Sequence, residues 1–224
     1  MHAKVHFSQR KATQMLIHEA ALMDRVFARF LEKVGDPIDR QEVPAASIER
    51  YKGKLPSLLL EYWAEHGWCG YGDGMFWIVN PQEYEGVVAS WLEGTELEKL
   101  DTYHLVARSA FGDLYFWGEK TGASLNITGI LSKYVVFNST LGPEFMDKQL
   151  QNFLLTRNID DDDFDDLFQP AKRKLGTLRG DEMYGFVPAL MLGGPSSLDH
   201  LEKLKAVEHL ILLSQLAELQ PYSF

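Results

Sequence analysis

The chain of 224 residues holds a single cysteine, Cys69, so it cannot close an intrachain disulfide, which fits a reducing compartment. Long apolar runs are missing as well. The most apolar C-terminal stretch, Leu210 to Leu213, is far short of the ~18 residues a membrane span requires. The N-terminus, MHAKVHFSQRKATQ, lacks an apolar core followed by a small-residue cleavage site, so it does not read as a secretory signal. Positive charge is scarce: 22 Lys and Arg stand against 32 Asp and Glu, for a net charge of -10. A surface that acidic repels nucleic acid and anionic membranes and suits a basic partner. Together these features predict a cytoplasmic protein with no membrane span and no direct nucleic-acid binding.

Catalytic and cofactor signatures are also absent. No Gly-Lys-Ser or Gly-Lys-Thr, H-E-x-x-H or G-x-S-x-G occurs. His2 and His6 lie four apart, and His200 and His209 share the C-terminal region, but none stands in a metal-ligand pattern. Cys69 has His66 near it in sequence, although a small buried hydrophobe is its expected role. The residues therefore predict no catalytic group, no metal site and no cofactor.

The periodicities that remain predict an α+β fold, a central antiparallel meander flanked by N-terminal and C-terminal helices. Leu16, Ala20, Met23, Phe27, Phe30 and Leu31 mark a helix over Thr13–Val34, stopped by Gly35, after a loosely ordered lead-in over residues 1–20. Asp36–Ala46 reads as loop, and Ile48–Glu65 as a helix bent or restarted at Pro56. Met75–Val79 is a short buried strand, and Glu83–Leu92 a helix. Tyr103–Ala107, Gly112–Trp117, Ser124–Thr128 and Tyr134–Phe137 then form the meander. Helices follow over Phe145–Leu155, around Phe164–Phe168 with Ala171 and Leu175, and over Leu198–Leu219, the last capped by Ser196 or Ser197 with Asp199 in a capping box. Between them Leu175–Gly194 reads as a long glycine-punctuated loop.

Two stretches stand out. In GYGDG, Gly70 to Gly74, the spacing is G-x-G-x-G, a helix precedes and a strand follows. A dinucleotide fingerprint has the opposite order, and the helix C-terminus carries a partial negative charge that repels phosphate. The loop reads as a tight reversal needing positive φ. The second stretch places Asp160, Asp161, Asp162, Asp163, Asp165 and Asp166 within seven positions. It lacks the glycine and late glutamate of a calcium loop. It reads either as the solvated first turn of a helix, favoured by the dipole, or as a surface for a cationic partner.

At this point the residues resemble a known family. Leu55-Pro56, Tyr62-Trp63, Gly67-Trp68, GYGDGMFWIVNPQEY and the segment from Arg108 to Tyr115, RSAFGDLY, are similar to the GAD-like domain. Downstream, KLGTLRGDEMYGFVPALMLGG resembles the core of the module that usually follows it, the C-terminal part of immunity proteins of type VI secretion toxins. The resemblance runs from about Met23 onward and implies a GAD-like domain over residues 1–128 and a largely helical immunity module over 129–224, with a relation to the SUKH group. It implies an immunity protein, not an enzyme, that binds and blocks a sibling toxin, often a DNase, in the cytoplasm. On that reading the six aspartates, with Tyr71 and Asp73 as further candidates, would meet the toxin's basic cleft, and the free protein would be a monomer or small oligomer. A nucleotide-binding enzyme using the glycine-rich loop, or a module for a non-toxin partner, are the competing readings.

Overall fold

The computed structural model describes residues 25–137 and 142–222. The expected lead-in, the first half of the expected first helix, and His2 and His6 lie outside the described residues. A helix over residues 25–34 (α1) opens the described chain. Then come β1 (Ile38–Gln41), α2 (Ala45–Tyr51), α3 (Ser57–His66), β2 (Trp68–Tyr71), β3 (Phe76–Ile78) and α4 (Glu85–Leu92). The meander is β4 (Tyr103–Ser109), β5 (Asp113–Gly118), β6 (Gly122–Thr128) and β7 (Lys133–Val136). After it come α5 (Met146–Thr156), α6 (Phe168–Leu175), β8 (Glu182–Phe186), β9 (Leu201–Lys205), α7 (Ala206–Ser214) and β10 (Gln220–Pro221).

Strands β1 to β7 pair antiparallel in chain order, and β10 adds in parallel to β7. Strands β8 and β9 form a separate antiparallel pair. The large sheet is covered on both faces. Along β5, Leu114 and Phe116 enter one core with Trp91, Tyr184 and Leu210, while Tyr115 and Trp117 enter the other with Phe30, Trp63 and Leu154. A strand whose two faces are both buried loses the apolar–polar alternation and reads as a continuous apolar run. That is why LYFW has no polar member.

Helix α5 lies beyond the meander in sequence, yet it packs against α3 and β6 on the face that holds α1 to α3. Helix α3 begins after Pro56, which offers no capping side chain. Asp147, in the first turn of α5, supplies the missing acceptor: the Leu58 amide donates to its Oδ1 at 2.9 Å. The sheet also continues past residue 128, because β7 pairs with β6 along four residue pairs from Leu125↔Val136 to Thr128↔Lys133.

Several sequence expectations are corrected. The expected loop Asp36–Ala46 contains β1, a polar edge strand held by pairing with β2 rather than by burial of its own side chains. The expected helix Leu198–Leu219 is a single turn at Leu198–His200, then β9, then the shorter α7. Leu201, Leu204, Leu210 and Leu213 have helical spacing, but five residue pairs with β8 draw Leu201–Lys205 into a strand. The partner strand β8 lies inside the expected loop Leu175–Gly194. By contrast the four meander strands, α4 and α5 form where the periodicity puts them, to within two residues.

The Asp147 contact is a cap supplied from a distant part of the chain. Asp147→Ala is expected to lower unfolding free energy by about 1 kcal/mol, read as a shift of the urea midpoint without a change of slope.

Candidate functional site

The GYGDG segment is a hairpin turn, not a helix-to-strand reversal. Strand β2 intervenes between α3 and the loop, so the loop does not face the helix C-terminus. That terminus is satisfied otherwise: Arg40 on β1 donates from Nε to the His66 carbonyl at 2.8 Å, and from Nη2 to that of Glu65 at 3.2 Å. The His66 ring instead stacks on Phe27 at 4.3 Å. The expected positive φ is present at Gly72, Asp73 and Gly74.

The loop is filled by protein. A side chain at Gly70 would strike the Trp77 ring, and one at Gly72 would strike Cδ1 of Ile159. The Trp77 indole donates to the Gly74 carbonyl at 2.7 Å. Beside it, the cavity bordered by Asp39, Trp77, Tyr84 and Gly180 measures about 20 Å³, space on the scale of one water.

Above Trp77 lies Arg108, fully buried, its guanidinium carbon 5.4 Å from the ring centroid. It donates to Tyr84 Oη at 2.9 Å, to the Ser109 carbonyl at 3.1 Å, and to the carbonyls of Gly180 and Glu182 at 2.8 and 2.7 Å. All four acceptors are neutral. This arginine joins RSAFGD to LRGDE, two of the stretches that carry the family resemblance.

Tyr71 is fully buried, edge-on to Phe30 at 5.0 Å, with its hydroxyl 3.4 Å from Cys69 Sγ. It is therefore withdrawn as a surface contact, because β2 is covered on both faces. Burial pushes the Tyr71 hydroxyl and the Cys69 thiol up from their ordinary values. Asp73 remains outside, 59% exposed, and pairs with Lys172 of α6 at 2.9 Å.

The aspartate run is not the first turn of a helix. It forms a 3₁₀ turn over Ile159–Asp162 and then an irregular turn, and α6 begins only at Phe168. Aspartate side chains bond to nearby backbone groups and so favour turns over helix interiors, and neighbouring carboxylates repel. Asp161 accepts from Asn158 Nδ2 at 3.0 Å, and Asp163 from the Phe168 amide at 2.8 Å. Asp165 and Asp166 both have positive φ, 50° and 57°. Asp160, Asp161, Asp165 and Asp166 are exposed and Asp163 is half-buried. Asp162 is buried, 2% exposed, and accepts from Tyr115 Oη, so it too is withdrawn as a direct contact.

Ile159, seated over Gly72, brings the acidic turn beside the Asp73 loop. Sequence reasoning did not foresee that adjacency or the burial of Asp162 and Tyr71. Nor did it single out Arg108. The one signal for Arg108 is a cation directly after the apolar run Leu105-Val106-Ala107 in the strand YHLVARS. Among the described residues no group of three or more His, Cys, Asp or Glu could hold a metal ion, and no helix is long and apolar enough to cross a membrane.

These features define an α+β protein with an acidic surface built where two parts of the chain meet. Residues 25–131 match the GAD-like domain, and residues 147–217 match T6SS immunity protein Tdi1, C-terminal. The chain belongs to the type VI secretion immunity proteins that join these two modules. That membership implies a toxin-neutralising function, and the family is generally non-enzymatic. Its fold is similar to the crystal structure of Atu4351 from Agrobacterium tumefaciens, with a TM-score of 0.75 at 22% identity over 84% of this chain and 87% of that one. Comparison with curated proteins gives no match.

Arg108→Met is expected to remove the charge-assisted hydrogen bonds to the part-buried carbonyls of Gly180 and Glu182, at about 1.5–3 kcal/mol each. Equilibrium unfolding should show a loss on the order of 3 kcal/mol. His209 on α7 is buried with an unpartnered Nε2, and burial lowers its pKa from 6.5. The unfolded chain then takes up a proton before the fold does, so this residue's contribution falls as pH drops below about 6.5. His209→Leu should gain stability relative to the parent between pH 7 and 5 in matched thermal melts.

Proposed function

We propose that the chain neutralises a type VI secretion nuclease, a DNase in particular, by laying Asp73, Asp160, Asp161, Asp165 and Asp166 over the toxin's basic cleft, with Asp163 at the rim. The observation that carries the reading is the adjacency of the Asp73 loop and the acidic turn, joined through Gly72 and Ile159. A nuclease must attract a polyanion, so its substrate cleft is basic. An acidic surface of fixed shape can occupy such a cleft, and complementary charge speeds the encounter. Lys172 neutralises part of the Asp73 charge, so the exposed turn carries most of the field. The encounter takes place in the cytoplasm, needs no cofactor, and involves a monomer or small oligomer of this chain.

The test is co-expression with a candidate cognate type VI secretion nuclease. Rescue of growth and recovery of a complex are expected, and killing with no complex overturns toxin binding altogether. Replacing Asp160, Asp161, Asp165 and Asp166 together by Asn should weaken binding at low salt on the order of tenfold or more, and much less at high salt. Unchanged affinity at both salts eliminates this surface while leaving toxin binding intact.

A further inference from the structure

The acidic turn is held to the body at four points. Ile159 sits over Gly72, and the Phe164 ring packs against Phe111 and Phe186 at 6.2 and 5.3 Å. Asp163 receives the Phe168 amide, and Asp162 receives the Tyr115 hydroxyl. The fourth point differs from the others, because an acid in the interior holds its place only while its charge state suits the surroundings.

The groups facing Asp162 are Tyr115 and Asp113 from β5, Arg157 from the link after α5, and Asp161 from its own turn. The hydrogen bond from Tyr115 and the charge of Arg157 favour ionisation, although the Arg157 guanidinium is also engaged over the rings of Tyr115 and Phe153, at 4.6 and 4.9 Å. Asp113 and Asp161 oppose ionisation. Loss of water is the largest influence, and the Asp162 carboxyl is pushed up to about 7.

We propose that Asp162 is a proton-operated latch for the acidic turn. As a neutral acid it stays beneath the turn, bonded to Tyr115. When its proton passes to solvent, the carboxylate leaves the interior, and the turn over residues 159–166 lifts from the sheet with one more exposed charge. The latch is a property of the free chain. Its failure leaves the toxin reading standing, and failure of the toxin reading leaves the latch standing.

The pH window follows from the two states. The closed carboxyl titrates near 7, and the open one near the ordinary 3.8. Opening is thus flat below about pH 4, rises by up to about tenfold per pH unit between, and levels off above about pH 7.

Hydrogen exchange on the full chain, corrected for the intrinsic pH dependence of exchange, reads this directly. Protection of amides 159–167 should fall on the order of tenfold or more from pH 5 to pH 7.5. In Asp162→Asn, whose side chain stays neutral, the same amides should show no such fall. A flat profile in the parent chain, or an equal fall in the Asn variant, overturns the latch. Carboxyl ¹³C titration of the unmodified chain gives an answer independent of that variant. The assigned Asp162 carboxyl is expected to have its midpoint near 7, and a midpoint below 5 for that residue rejects the proposal.

Discussion

A buried arginine without a carboxylate sets the geometry on which the candidate surface depends. Desolvating a guanidinium is costly, and the cost is offset only when its N–H groups find well-placed acceptors. Arg108 finds them in Tyr84, Ser109, Gly180 and Glu182. The last two come from the segment that enters β8, so the central sheet and the β8–β9 pair are fixed to each other. Trp77 lies beneath the guanidinium and donates to Gly74, which shapes the GYGDG turn. That turn receives Ile159, and Ile159 carries the acidic turn next to Asp73. The surface is thus the last link in a series of contacts that begins with one interior cation.

The same interdependence appears in the packing. The two family matches divide the chain at about the end of the meander, but the hydrophobic cores do not follow that division. Leu150 and Leu154 of α5 enter the core of the first helices, while Trp77 of β3 and Leu105 and Leu114 of the meander enter the core completed by Phe168, Tyr184 and Leu210. Burial across that line, the Asp147 cap on α3 and the Arg108 bonds tie the described residues on its two sides together.

Legibility in the sequence followed burial. The meander, α4 and α5 carry dense apolar patterns whose length and turn residues separate strand from helix, and they were readable. Strand β1 was not, because its side chains are mostly exposed and only backbone pairing makes it a strand. Strand β9 was misread for the opposite reason: LEKLK continues the helical spacing of α7, and its partner β8 is the stretch whose glycine and proline neighbours read as loop. At the candidate site, Gly72 and Gly74 have the positive φ that the GYGDG spacing leads one to expect. The inward turn of Asp162 and Tyr71 depends on Tyr115 and Phe30, far away in sequence, so no local pattern could announce it. Asp160, Asp161, Asp165 and Asp166 were read as surface, and they lie there.

The aspartates divide by what they do for the fold. Asp161, Asp162 and Asp163 each accept a hydrogen bond. Asp160, Asp165 and Asp166 make no side-chain hydrogen bond or ion pair among the described residues, and the last two hold a left-handed backbone that aspartate tolerates better than most residues. Carboxylates without a partner inside the fold are the ones left to meet a cationic surface. A hydrogen-exchange footprint of the chain bound to its cognate toxin examines that most directly. Protection newly acquired over residues 159–166 and at Gly72–Asp73 is the outcome this account predicts. Protection confined to other surfaces, with those residues exchanging as in the free chain, would contradict it.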